Sequence, residues 1–201
     1  MHNTDSLSIL RNSFLSIAKV KDAQKGYITA VPFNISLDPD LLSLVSRSWA
    51  EHYVDYPRID AIVGLPDAGS RLVSIVADML RIRKILPSKR TKIAPSSWES
   101  VVKFSNKSFT TGQDDIVSQI GFLQPGMRLL IVDDVVAHGS TAVAAIKALQ
   151  DYGVEIVGLA VIFDKKWQGG VEKIEKETGV PVFSLISIES ISEEGKIILD
   201  N

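Results

Sequence analysis

The period of the apolar positions changes several times along the chain, and each change marks an expected element. Leu7, Leu10, Phe14, Leu15, Ile17 and Ala18 recur at mainly helical spacing behind Asp5 or Ser6, either of which can cap a first turn. An amphipathic helix is therefore expected to open the chain, in a region that Gly26 ends. Tyr27 to Phe33 is apolar and β-rich, which fits a short strand or an extended arm. Asp38 as N-cap and Pro39 at the first helical position predict a second helix to about Tyr53, with Leu41, Leu42, Val45, Trp49 and Tyr53 mostly on one face.

From there strand and helix patterns alternate. Ile59 to Gly64 reads as a buried strand, Leu65-Pro-Asp-Ala-Gly-Ser70 as a tight loop and Arg71 to Ile82 as a helix. Within Lys84 to Pro95 a short apolar strand precedes the crowded Lys89, Arg90 and Lys92, and Glu99 to Phe104 reads as a returning strand. Phe109 to Gly112 and Ile116 to Ile120 are ambiguous, and Gln124-Pro-Gly126 is a turn. Leu129 to Val132 is a β-branched apolar run suited to a strand covered on both faces, ending in Asp133 and Asp134. A short loop then enters a helix whose formers run from Ala142 to Leu149 and which Gly153 stops. Val154 to Phe163 is a further core strand, followed by a helix from about Val171 to Glu177, a strand Val182 to Ile186 and a tail with the turn Glu193-Glu-Gly195.

Composition narrows the class. With 201 residues, 45% hydrophobic and 23% charged, the chain suits one globular domain with room for a small appendage. A net charge of −2 argues against a surface built wholly for nucleic acid. The absence of cysteine excludes disulfides, thiolate metal sites and thiol nucleophiles, and fits a reducing compartment. Asp5, Arg11 and Lys19 interrupt the first 21 residues, so they do not read as a signal peptide, and no apolar run reaches membrane-spanning length. A soluble cytoplasmic protein is expected.

The chemistry concentrates where strands meet loops. Unpaired N–H groups at a helix start favour an anion, so Ala137, His138, Gly139, Ser140 and Thr141 are candidates to hold a phosphate. Gly139 permits close backbone approach, and Ser140 and Thr141 add hydroxyl donors. Asp133 and Asp134 would repel that phosphate unless a sugar diol, a magnesium ion or both lay between. Asp67, Ala68, Gly69 and Ser70 form a second strand-to-helix loop, and in a parallel sheet both loops can face one crevice.

The order strand, Asp-Asp, two apolar residues, small residue, X, Gly, Ser, Thr resembles the signature of type I phosphoribosyltransferases, whose donor is phosphoribosyl pyrophosphate (PRPP). Lys89-Arg-Thr-Lys-Ile-Ala-Pro95 resembles the basic lid of adenine phosphoribosyltransferases. Phe33-Asn-Ile-Ser-Leu-Asp-Pro39, Phe163-Asp-Lys-Lys-Trp-Gln168 and Ser187 to Lys196 look like the corresponding segments of bacterial xanthine phosphoribosyltransferases. Two positions depart from the pattern: His138 stands where the family usually has Thr, and Ala68 where several relatives carry a basic residue.

The resemblance implies an α/β fold: a twisted, mainly parallel sheet flanked by helices, forming one domain over residues 1–201. Its core spans about 55–165, a small hood from the chain ends covers about 20–40 and 165–201, and a flexible lid about 89–103. By the same resemblance Ala137 to Thr141 would hold the 5′-phosphate and Asp67 to Ser70 the pyrophosphate, while Asp133 and Asp134 would take the ribose hydroxyls and, through PRPP, Mg2+. Lys89, Arg90 and Lys92 would offset charge on the leaving group, with Trp98 either a lid residue or an aromatic packed on its own loop. Tyr27, Asn34, Lys165 and Trp167 would contact the base, the lysine donating to an exocyclic oxygen of a 6-oxopurine.

The implied activity is Mg-dependent transfer of ribose 5-phosphate to xanthine, guanine or hypoxanthine in purine salvage. The expected partners are PRPP, a purine base and a second copy in a homodimer, with no nucleic acid or membrane. A PRPP-sensing regulator without catalysis, or a phosphoribosyltransferase for adenine or orotate, are the alternatives.

Overall fold

A computed structural model describes residues 3–56, 58–91, 97–106 and 116–200. Lys92, the whole segment that follows it to Ser96, and Phe109 to Gly112 lie outside the described residues. The elements are α1 (Asn3–Ile17), β1 (Lys19–Asp22), β2 (Tyr27–Thr29), α2 (Val31–Asn34), α3 (Pro39–Tyr53), β3 (Ala61–Gly64), α4 (Gly69–Met79), β4 (Ile85–Leu86), β5 (Ser88–Thr91) and β6 (Val102–Asn106). They continue with β7 (Ile116–Ile120), β8 (Arg128–Val136), α5 (Ser140–Asp151), β9 (Glu155–Lys165), a 3-10 turn (Lys166–Gln168), α6 (Gly170–Thr178), β10 (Val182–Ile191) and β11 (Ile197–Leu199).

The main sheet has the order β11-β10-β9-β8-β3-β4, parallel throughout except for β11 at one edge. Successive residues of a strand face opposite sides, so each central strand feeds two cores. Val63, Leu129, Ile131, Leu159 and Val161 pack with α5 and α6 on one side. Ile62, Leu130, Val132, Ala160 and Ile162 pack with α1, α3 and α4 on the other. This is why Ala61 to Gly64 and Leu129 to Val132 are apolar without alternation. A second sheet, β5-β7-β6, is antiparallel, and a hairpin pairs β1 with β2.

The second helix begins as its sequence requires: Asp38 accepts hydrogen bonds from the N–H groups of Asp40 and Leu41, with Pro39 in the first turn. The ends of the chain differ from expectation. The first helix stops at Ile17, and Gly26 turns the β1-β2 hairpin at φ 64°. Lys19-Val-Lys-Asp22 carries no strand pattern of its own and is a strand because β2 pairs with it. The run from Tyr27 ends as a strand at Thr29, since Pro32 sits in the first turn of α2. Among the described residues no helix is long and apolar enough to cross a membrane.

Candidate active site

The carboxyl ends of β3, β8 and β9 lie side by side, with Gly64 in register with Val132 and Val136 with Asp164. The loop after β3 is closed by Leu65 N–H donating to Val132 O at 2.9 Å and Ser70 N–H to Leu65 O at 3.2 Å. Its two glycines are required by contact: a Cβ on Gly64 would strike the Gly69 carbonyl. One on Gly69 would lie 2.5 Å from Val132 O and 3.0 Å from Asp133 Oδ1. The Pro66–Asp67 peptide is cis. Ser70 Oγ hydrogen-bonds Gly64 O at 3.3 Å and pairs with Ser88 Oγ at 2.7 Å, and Ser88 also donates to Gly64 O.

Ser88 and Arg90 share a face of β5, which brings Arg90 to the same loop. Its guanidinium donates to Pro66 O at 3.0 Å and lies 3.5 Å from Asp67 Oδ2. Strand β5 therefore puts a cation against a loop in which Ala68 carries none. Lys89, between them in sequence, is exposed and points to the opposite face of β5, away from that loop.

Asp133 and Asp134 lie inside β8 rather than at its end, because β9 runs alongside and pairs the strand as far as Val136. Asp133 Oδ1 accepts the Asp134 N–H at 2.9 Å. Burial and then the like charge of Asp134 push the Asp133 carboxyl well above the usual carboxylate range, against the N–H bonds from Asp134 and Gly69. The ionisation of Asp133 is thus opposed by its surroundings, and cations or hydroxyl donors supplied by a ligand would relieve that cost. Lys165, the last residue of β9, is half-buried: burial lowers its pKa and the charge of Asp134 opposes the shift.

The loop Ala137 to Thr141 leaves β8 and enters α5 through Gly139, whose φ of 70° is left-handed. Gly139 serves as N-cap without a side-chain cap, and Ala68 does the same for α4, in contrast to Asp38 on α3. Both helices thus direct uncapped N-termini, the positive ends of their dipoles, toward this end of the sheet. Helix α6 buttresses the phosphate-loop candidate: a Cβ on Gly139 would lie 2.6 Å from Gly170 O and 3.0 Å from Ile174, and one on Gly170 would strike Ala137 O. His138 is exposed at the loop, and Lys173 Nζ donates to Ser140 Oγ at 3.0 Å.

The chain ends also meet. A Cβ on Gly26 would lie 2.9 Å from Trp167 Cζ2 and 3.0 Å from Gln168 Nε2, so the β1-β2 turn rests on the Trp167 indole. Trp167 and Tyr27, the residue after Gly26, are 40% and 50% exposed, and Asn34 closes α2. Trp98 packs against Gly121, where a Cβ would lie 3.0 Å from its ring, so the partner it finds lies after β7 and not on its own loop.

Asp67 to Ser70, Arg90, Asp133, Asp134, Lys165 and Ala137 to Thr141 therefore gather at one edge. Trp167 meets Gly26, the residue before Tyr27, at the hairpin, and Lys89 faces away. Sequence reasoning passed over Ser88, hidden in a basic run, and Lys173, one turn after Gly169-Gly170. That glycine pair before a helix was the available signal for a close contact.

The family model described as phosphoribosyl transferase domain matches residues 39–188. The chain is 36% identical over 132 residues to the adenine phosphoribosyltransferase of Maricaulis maris, covering 66% of this chain and 72% of that protein. It is 27% identical over 162 residues to the xanthine phosphoribosyltransferase of Exiguobacterium sp., covering 80% and 82%. An adenine phosphoribosyltransferase structure from Trypanosoma brucei superposes with a TM-score of 0.74 over 92% of this chain and 82% of that one, at 20% identity, a likeness of fold. The loops described above fall within the matched span, and the chain belongs to the phosphoribosyl transferase domain family.

Proposed function

We propose that the chain transfers ribose 5-phosphate from PRPP to N9 of a 6-oxopurine: xanthine, guanine or hypoxanthine. The observation that carries the donor half is the contact between Gly69 and Asp133, which joins the loop after β3 to the acid pair and, through β8, to the Ala137 to Thr141 loop. A ligand with two phosphate-bearing ends and a diol between them matches that spacing of two uncapped helix starts around two acids. In the reaction the C1–oxygen bond to pyrophosphate breaks, the electron pair leaves with pyrophosphate, N9 bonds to C1, and the N9 proton passes to solvent. Arg90 offsets charge on the leaving group, the first turn of α5 holds the 5′-phosphate, and Asp133 and Asp134 orient the ribose hydroxyls.

The acid pair also fits Mg2+. Among the described residues no group of three or more His, Cys, Asp or Glu could hold a metal. Two hard carboxylates would suit such an ion if the substrate's oxygens brought it to the site. Asp133 and Asp134 would hold such an ion beside the substrate, where it would supply charge neutralisation to the pyrophosphate.

The 6-oxopurine assignment rests on Lys165, a half-buried ammonium that donates but cannot accept. A 6-oxo group accepts from it, whereas the amino group of adenine leaves it unpaired. The 36% identity to an adenine phosphoribosyltransferase favours the second reading, adenine as acceptor. A pyrophosphate-release assay with PRPP and magnesium separates them, run with xanthine, guanine, hypoxanthine, adenine and orotate. Turnover with an oxopurine is expected. Turnover confined to adenine transfers the assignment to the second reading, and PRPP binding without turnover on any base identifies a PRPP-sensing regulator.

A further inference from the structure

We infer that Lys173, on α6, is an additional ligand of the phosphate held by the Ala137 to Thr141 loop, an inference that rests on the reading of that loop given above. The helix is built against the loop. Gly170 abuts Ala137, and Ile174 abuts Gly139, so the α6 face carrying residues 170, 173 and 174 looks onto the phosphate loop. Lys173 lies on that face, half-buried, and its ammonium donates to Ser140 Oγ at 3.0 Å.

Electrostatics give this contact its meaning. Ser140 is the first residue of α5, at the positive end of the helix dipole, where a cation is disfavoured and an anion favoured. Glu177 feels the charge of Lys173, but its carboxylate is bonded at 2.6 Å to Lys147. Among the described residues no carboxylate forms a salt bridge with Lys173. Two positive features, an ammonium and an uncapped helix start, thus converge on one hydroxyl. A bound phosphate dianion turns that repulsion into attraction, accepting from the first turn of α5 and from the ammonium together.

Calorimetric titration of the full chain with ribose 5-phosphate, and separately with pyrophosphate, tests this. Lys173→Met is expected to weaken ribose 5-phosphate about 10-fold, by loss of one charge-assisted hydrogen bond, and to leave pyrophosphate within about 2-fold. Lys173→Gln, which keeps a donor for Ser140 without the charge, should show the same loss, and Lys173→Arg should restore most of the affinity. Lys176→Met, an exposed lysine on the same helix, controls for net charge. Melting curves of each variant confirm folding. Wild-type affinity in Lys173→Gln would reduce the lysine to a cap for Ser140, and an equal loss for pyrophosphate would reduce it to a general field; either overturns the inference alone. Failure of the wild-type chain to bind ribose 5-phosphate overturns the reading of the loop as well.

Discussion

The two ends of the parallel sheet handle charge in opposite ways. At the amino end, Asp60 accepts the Arg128 N–H at 3.0 Å and Arg58 Nε at 2.5 Å, while Arg128 reaches Glu155 at 3.0 Å and Arg58 O at 3.1 Å. Hydrogen bonds from Arg128 and Arg58 outweigh the cost of burial, and the Asp60 carboxyl is held below its ordinary range. At the carboxyl end, Asp133 is pushed the other way by burial and by its neighbour Asp134, and uncapped helix starts face the same edge. Paired charges at one end serve stability; opposed charges at the other are held in place by the fold and, under the proposed function, would be answered by a ligand.

Substitution of the acid pair should expose this difference most strongly. Under the proposed function Asp134→Asn would remove a partner of the ribose and of magnesium, and it is expected to lower kcat/KM for PRPP about 100-fold, equivalent to ~2.7 kcal/mol. Because it also removes a like charge from beside Asp133, its melting temperature should equal or exceed that of the parent. Steady-state kinetics and a melting curve on the same sample decide the matter. A destabilised variant with unchanged PRPP kinetics would mean that this acid is structural, as Asp60 is.

Gly69→Ala comes next, since it forces a methyl to within 2.5 Å of Val132 O where the loop meets Asp133. Overpacking of this kind should cost about 2 kcal/mol of stability and weaken pyrophosphate, measured by denaturant unfolding and by titration. At the amino end Asp60→Asn should cost about 1 to 2 kcal/mol and leave PRPP kinetics unaltered. With its folded pKa depressed, Asp60 stabilises the chain above the unfolded carboxylate pKa, and that contribution is lost as pH falls through the folded value. The acid limb of a stability profile should therefore flatten in the variant.

How much of this could be read in advance depends on what each residue's signal refers to. The core strands and α3 announced themselves because burial on both faces and an Asp-Pro cap leave local patterns. The acid pair and the loops beside it were legible for the same reason. What the sequence left hidden was set by neighbours distant along the chain. Lys19 to Asp22 is a strand only because Tyr27 to Thr29 pairs with it, and Asp133 lies within a strand because β9 extends to Lys165. Arg90 and Lys89 look equivalent in a basic run, but strand alternation gives one to the Pro66 carbonyl and turns the other away.

The smallest effect tests whether the amino end is as settled as its ion pairs suggest. His52, near the end of α3, stacks on Phe183 with ring centres 3.6 Å apart and planes 4° from parallel, and its Nε2 lies 3.4 Å from Tyr56 Oη. A helix carboxyl end favours an imidazolium, but burial wins and its pKa falls below the ordinary value of 6.5. The unfolded chain then binds the proton more readily than the folded one. Stability from this group is full above the unfolded pKa and is lost as pH falls toward the folded value, in the weakly acidic range. His52→Phe keeps a ring on Phe183 and cannot titrate, so the drop in melting temperature between pH 7.5 and pH 5.5 should shrink by about 1 to 2 °C. An unchanged drop would show that protonated His52 finds a partner there, and that this end tolerates new charge as readily as it pairs its own.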